Sequence, residues 1–222
     1  MAFAYSPKIV TDGLVFAVDA ANKKSYPGSG TTWTDLAGSN NGTLINGPTF
    51  DSGDGGSIVF DGVNDYVQTG AITTFSSVTL DFWVYLGPTQ TGNSIISKRA
   101  GYQNQQDFNL FLFTTSNQLN LDIGNTRVSG TNLLGNALYN ITATYDSSNG
   151  AVKVYVNNSI DINSTISTGL ITSNTSDTYI GRLGGSSYYW DGKIFTGKIY
   201  NRALSASEVT QNYNALKGRF GL

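Results

Sequence analysis

Along most of this chain apolar residues recur at every second position in short runs, and Gly, Asn, Asp and Ser punctuate the gaps. A period of two belongs to strands, whose successive side chains point to opposite faces. Residues 13–19 are apolar on both sides for most of their length and predict a first strand in a core position. From 20 to 57 the pattern breaks into turns at Tyr26-Pro27-Gly28, Asn40-Asn41-Gly42, Asn46-Gly47-Pro48 and Asp54-Gly55-Gly56, with short strands expected around 43–45 and 48–50. Runs at 57–60 and 65–68 flank Asp61-Gly62, a hairpin-like punctuation. In 78–85 the alternation places Leu80, Phe82 and Val84 on one face and Asp81, Trp83 and Tyr85 on the other, so both faces should be covered. Strands are expected next at 94–97, 108–113 and 119–123, and 137–145 with 152–156 enclose Asp146-Ser147-Ser148-Asn149-Gly150, the strongest hairpin signal. After 178–182, residues 192–195 and 197–200 read as a last pair of strands.

The period changes only at the end of the chain. Ser205-Ala206-Ser207-Glu208 is a capping box, and Val209, Tyr213 and Leu216 share one helical face behind it. This predicts a helix from about 206 to 217, stopped by Gly218 and packed against the edge of the strand assembly. More than ten short strands with almost no helix exclude a parallel α/β arrangement, whose crossovers need helices. The expected fold is all-β: a two-sheet antiparallel jelly-roll sandwich with one short C-terminal helix. Residues 13–222 form its single domain. In residues 1–12, Phe3, Tyr5, Pro7, Ile9 and Val10 either dock an extended arm on a partner or add an edge strand to the chain's own sandwich.

Composition narrows the chemistry. The 222 residues carry a formal charge of -2, 39% hydrophobic and 13% charged residues, and neither histidine nor cysteine. Cations and carboxylates are mixed along the chain, so no basic stripe awaits a nucleic acid. Neither a charged leader with an apolar stretch nor a membrane span is present, so neither a signal peptide nor a membrane partner is expected. Glu208 is the only glutamate, and the capping box occupies it.

A series of segments carries a resemblance: residues 13–20, 26–36 (Tyr26-Pro27-Gly28 through Trp33 to Leu36), Asn41-Gly42-Thr43-Leu44, Val59-Phe60-Asp61-Gly62 with Asp65-Tyr66-Val67, Phe82-Trp83-Val84, Tyr155-Val156-Asn157-Asn158, and 199–220. In this order they resemble the concanavalin A-like lectin/glucanase superfamily, specifically the laminin-G-like domains of bacterial surface proteins and tailed-phage virion proteins. Residues 26–36 and 212–220 are most similar to small marine and cyanobacterial phage virion proteins. The resemblance implies a structural or decoration protein of a bacteriophage virion, made in host cytoplasm, displayed on capsid or tail, and touching other virion proteins and copies of itself. The alternative it implies is a lectin-like receptor-binding or adhesion module for a cell-surface polysaccharide.

The superfamily's glucanases pair glutamates on one strand, with carboxyl groups about 5 Å apart for retention or roughly 6.5 to 9.5 Å for inversion. No predicted strand here holds a glutamate, so no catalytic residue is assigned and no enzyme is expected. Related modules hold calcium in rim loops. The oxygen donors for it here are Asp51 and Asp54 in one Gly-rich loop, and Asp19, Asp61, Asn64, Asp65 and Asp191 beside recognisable motifs; ordinary turn formation accounts for the same residues. Trp33, Tyr102, Tyr188, Tyr189 and Trp190 lie in or beside Gly/Ser/Asn-rich stretches, where they either offer rings to a sugar or partner or close the end of the sandwich. Trp83, on a strand, is read as core.

Overall fold

A computed structural model describes residues 7–72, 75–88, 93–99, 106–113, 116–171 and 175–222. Over these residues the alternating pattern becomes strands β1 (Leu14–Asp19), β2 (Thr32–Trp33), β3 (Gly42–Ile45), β4 (Thr49–Asp51), β5 (Ser57–Asp61), β6 (Tyr66–Thr69), β7 (Val78–Leu86) and β8 (Asn93–Arg99). They continue as β9 (Gln106–Leu112), β10 (Gln118–Ile123), β11 (Thr126–Asn132), β12 (Ala137–Asp146), β13 (Ala151–Val156), β14 (Ser159–Thr165), β15 (Thr178–Ile180) and β16 (Asp191–Tyr200). One helix, α1 (Ala206–Leu216), follows and runs into a 3-10 turn at Lys217–Phe220.

All the pairings are antiparallel and build two sheets. The first runs β14-β13-β12-β7-β16-β5-β4, with β1 also on β16, and the second runs β11-β10-β9-β8-β15-β6-β3-β2. Their inner faces interlock through one apolar cluster that includes Phe16, Phe60, Leu80, Phe82, Phe108, Leu110, Leu121, Ile141 and Ile199, as expected of a jelly-roll sandwich.

Three expectations change. Asp61-Gly62 does not close a hairpin, because β5 belongs to the first sheet and β6 to the second, so the chain crosses between sheets there. The expected last pair is the single strand β16. Gly197 lies within it because a Cβ there would come 2.4 Å from the Phe82 ring, so this glycine marks a close approach rather than a turn.

The third change concerns α1, which covers the outer face of the first sheet's centre rather than its edge. Asp81, Trp83, Lys198 and Tyr200 point outward there, and Asn212 of the helix donates to Asp81 (3.2 Å) and to the Tyr200 hydroxyl (2.9 Å). Trp83 stacks on Tyr213 at 5.5 Å and on Phe220 at 4.4 Å between centroids. The helix stop at Gly218 therefore gives way to a further turn that delivers Phe220 to this stack. Residues 7–12 form no strand. Val10 lies between helix and sheet, its N–H donating to Asn212 Oδ1 (2.8 Å) and its carbonyl accepting from Tyr200 (3.0 Å). Phe3 and Tyr5 are outside the described residues.

Candidate functional site

Among the described residues no helix covers the second sheet over β3, β6 and β15. Val67 and Ile180 turn into the core, so their neighbours Tyr66, Gln68 and Tyr179 are left on the outer face, each half-buried. Register places Thr43, Gln68, Tyr179 and Ser97 side by side across four strands, and Ile45 beside Tyr66.

A short hairpin leans over this face. Arg182 bridges Tyr189, Leu183 N–H donates to Tyr188 O (3.0 Å), and Trp190 N–H donates to Gly181 O (2.8 Å). Ser97 ties it to β8: its hydroxyl donates to Arg182 O (2.8 Å) and accepts from Gly184 N–H (3.0 Å). Gly181 permits the entry, with φ of +78° and a Cβ position only 2.7 Å from the Phe60 ring.

The hairpin brings Arg182 among three tyrosines. Its guanidinium carbon lies 4.6 Å from the Tyr66 ring centre and 5.5 Å from those of Tyr179 and Tyr189. Tyr66 is 6.0 Å from Tyr179 and 6.4 Å from Tyr189 between centroids. Beside them an open cleft of about 300 Å³ is lined by Asn41, Thr43, Ile45, Gln68 and Asp177. Gln68 donates to Asp177 Oδ2 at 2.5 Å. Burial pushes the Tyr179 hydroxyl's pKa up, with Asp177 adding to the rise and Arg182 opposing it. Rings beside amide, hydroxyl and carboxylate groups can stack on an apolar sugar face while hydrogen-bonding its hydroxyls.

Two of the aromatics singled out in the sequence cannot take part. Trp33 and Trp190 are each 0% exposed, so they fill the interior despite their Gly- and Ser-rich surroundings. Tyr102 is outside the described residues. Tyr188 is exposed on the hairpin, and Tyr189 joins the cluster. Sequence reasoning passed over Tyr66, Gln68, Tyr179 and Arg182. The signal for the first three was parity: all lie one position from an inward apolar residue on a strand.

The six aspartates suggested for calcium separate into groups. Asp19 accepts from Arg219 (2.8 Å), which also holds the carbonyl of Asp54 (2.6 Å). Asp51 pairs with Lys193 (2.5 Å), and this ion pair with the Gly53 N–H pulls its carboxyl's pKa down. At the opposite end of β5, about 13 Å away by strand rise, Asp61 lies across from Asp191 in register and near Asp65. Burial, then the Asp61 charge, pushes the pKa of Asp65 and of Asp191 up. Asp61 itself is held low: burial opposes ionisation, but the N–H groups of Val63 and Asn64 outweigh it. Among the described residues no group of three or more His, Cys, Asp or Glu side chains is arranged to hold a metal ion. The six carboxylates thus lie at the two ends of β5, with Asp61, Asp65 and Asp191 at one and Asp19, Asp51 and Asp54 at the other.

Glu208 completes the capping box, accepting from Ser205 N–H at 2.8 Å, and also takes both terminal nitrogens of Arg202 at 3.0 and 2.6 Å. Its carboxyl is pulled down to about 2, chiefly by Arg202. No helix among the described residues is long and apolar enough to cross a membrane.

A laminin-G family model, described as concanavalin A-like lectin/glucanases superfamily, matches residues 61–210. No curated protein matches the chain. Among solved structures, Trypanosoma rangeli sialidase in complex with sialic acid superposes with a TM-score of 0.73 and 16% identity, over 97% of this chain and 36% of that one. This chain thus spans about a third of the sialidase chain. Domain 4 of AbnA, a GH43 extracellular arabinanase from Geobacillus stearothermophilus, in complex with arabinotriose, matches with a TM-score of 0.70 and 18% identity, over 90% and 98% of the two chains. The binding domain of Paraclostridial Mosquitocidal Protein 1 matches with a TM-score of 0.70 and 17% identity, over 92% and 52%. At these identities the likeness is one of fold.

Proposed function

The chain belongs to the concanavalin A-like lectin/glucanases superfamily, and from that premise we propose that it is a non-enzymatic carbohydrate-binding domain whose sugar site is the outer face of β3, β6 and β15. One observation carries the reading: Tyr66, Tyr179 and Tyr189 cluster on a sheet face that no helix among the described residues covers, beside a cleft of polar groups. The arabinotriose bound by the arabinanase domain supports it by analogy of fold. The absence of catalysis is supported by the commitment of Glu208 to Ser205 and Arg202.

A glycan array probed with the whole chain tests the proposal. Selective binding to a subset of glycans is expected, reduced at least about tenfold by Tyr66→Ala and by Gln68→Ala with melting little changed. Binding to no glycan overturns it, and steady release of product from any polysaccharide overturns the non-enzymatic part. From the resemblance of residues 26–36 and 212–220 to phage virion proteins, we place the domain on a virion as a displayed, multicopy module. Absence of the chain from purified particles would remove that placement.

A further inference from the structure

A neutral sugar could accept hydrogen bonds from Arg182 but would leave its charge unanswered. The other arginines with described partners are spent on carboxylates: Arg127 on Asp122, Arg202 on Glu208 and Asp12, Arg219 on Asp19. Among the described residues Arg182 donates through Nε alone, to Ser186 O at 3.2 Å, and its two terminal nitrogens meet no acceptor. A guanidinium carries five N–H donors, so four are left for something outside the chain. The charge is also prepositioned. Ser97 and the Tyr189 bridge fix the Arg182 backbone, and three rings hold the half-buried guanidinium. A cation ordered in advance and partly shielded from water binds an anion with little further ordering.

The face is electrically polar along β15. Arg182 lies beyond one end of the strand, while Asp177 lies beyond the other and is occupied by the Gln68 amide. A saccharide with an anionic substituent at one end and hydroxyl groups at the other matches that order, and the guanidinium fork suits both carboxylate and sulfate. We infer that Arg182 selects saccharides bearing an anionic group, a uronate carboxylate or a sulfate ester, at the sugar site proposed above, and the inference rests on that site.

Titration of the whole chain with trigalacturonate, with a sulfated galactan oligosaccharide and with neutral galactotriose, beside an array of matched acidic and neutral glycans, tests this. A charged probe should bind about tenfold or more tightly than its neutral counterpart, and added salt should erode the difference. Preference for the uronate or for the sulfate identifies which anion is read. Arg182→Gln should erase the preference, so that the charged and the neutral probes bind within about twofold of each other. Arg182→Lys, which keeps the charge and loses the fork, should retain only part of it. Equal binding of charged and neutral glycans, better binding of the neutral ones, or a preference that survives Arg182→Gln overturns the selectivity and leaves the sugar site standing. Binding to no glycan of either kind overturns the site itself.

Discussion

Two arginines lie among aromatic rings on opposite outer faces of the sandwich. Arg219, over Phe195 and Phe220, donates to Asp19 and to the carbonyls of Asp54 and Gly56, so its hydrogen-bonding capacity is turned inward. The Arg182 side chain, among Tyr66, Tyr179 and Tyr189, makes one hydrogen bond to the described residues. The covered face is closed by the C-terminal helix and its 3-10 turn, which pack Trp83 against Tyr213 and Phe220 and engage the Tyr200 hydroxyl in hydrogen bonds with Asn212 and Val10. The open face uses tyrosines, each with a polar handle. Similar ingredients serve packing where an element covers them and, under the proposed function, recognition where none of the described residues does.

The largest test of that contrast is Trp83→Ala. Trp83 is 0% exposed and packed between the sheet and the Tyr213 and Phe220 rings, so its loss should destabilise the fold by about 3–5 kcal/mol in denaturant melts. Tyr66→Ala on the half-open face should cost less, about 1 kcal/mol, since its ring is only half-buried and leaves no closed cavity. If the two cost the same, the tyrosine cluster is packing and the contrast fails.

Next in size is Asn212→Ala. This side chain satisfies Asp81, Tyr200 and the Val10 N–H at once, and all of these groups are buried. Asp81 keeps Asn140 (2.8 Å) and Lys198 (3.3 Å), but the Val10 amide loses its acceptor, so we expect a loss of about 1–3 kcal/mol. Greater hydrogen exchange in residues 8–11 and α1, with sugar binding unchanged, would confirm that the helix serves only the covered face. A matching loss of sugar affinity would show that the two faces are coupled.

The strands of the interior were legible because apolar alternation survives burial, as in Leu80, Phe82 and Val84. Thr126–Asn132 and Ser159–Thr165 were not. Each is an outermost strand whose side chains are mostly polar, so its composition is that of a loop. The capping box was readable in full because its partners are three residues apart, whereas the Arg202 ion pair on Glu208 has no comparable spacing rule. Which aromatics face outward was not legible for a related reason. Glycine and serine around Trp33 and Trp190 suggested exposed loops, yet both indoles fill the interior, and the rings that do share an outer face come from β6, β15 and the following hairpin. Bringing them together depends on the β6–β15 register, which no local pattern encodes.

The smallest effect concerns acid and separates the faces by pH. Glu208 anchors the start of the covering helix with its carboxyl pulled down to about 2, well below the ordinary 4.5. A lowered folded-state value means that the stabilisation is complete above about pH 4.5 and is lost as pH falls toward 2. The pair is partly exposed, 28% on each side, so solvent screening leaves on the order of 1 kcal/mol. Asp65 and Asp191, raised by burial and by Asp61, contribute with the opposite sign, since acid relieves the penalty on their charged forms. A single melting curve against pH therefore mixes the two trends. The difference between the wild type and Glu208→Gln cancels the aspartates common to both: it should be constant from pH 7 to about 5 and shrink toward pH 2. A difference that stays constant down to pH 2 would mean that the charge of Glu208 adds nothing, leaving the helix over Trp83 held by packing and by its other bonds, those of Asn212, Gln211 and Thr210.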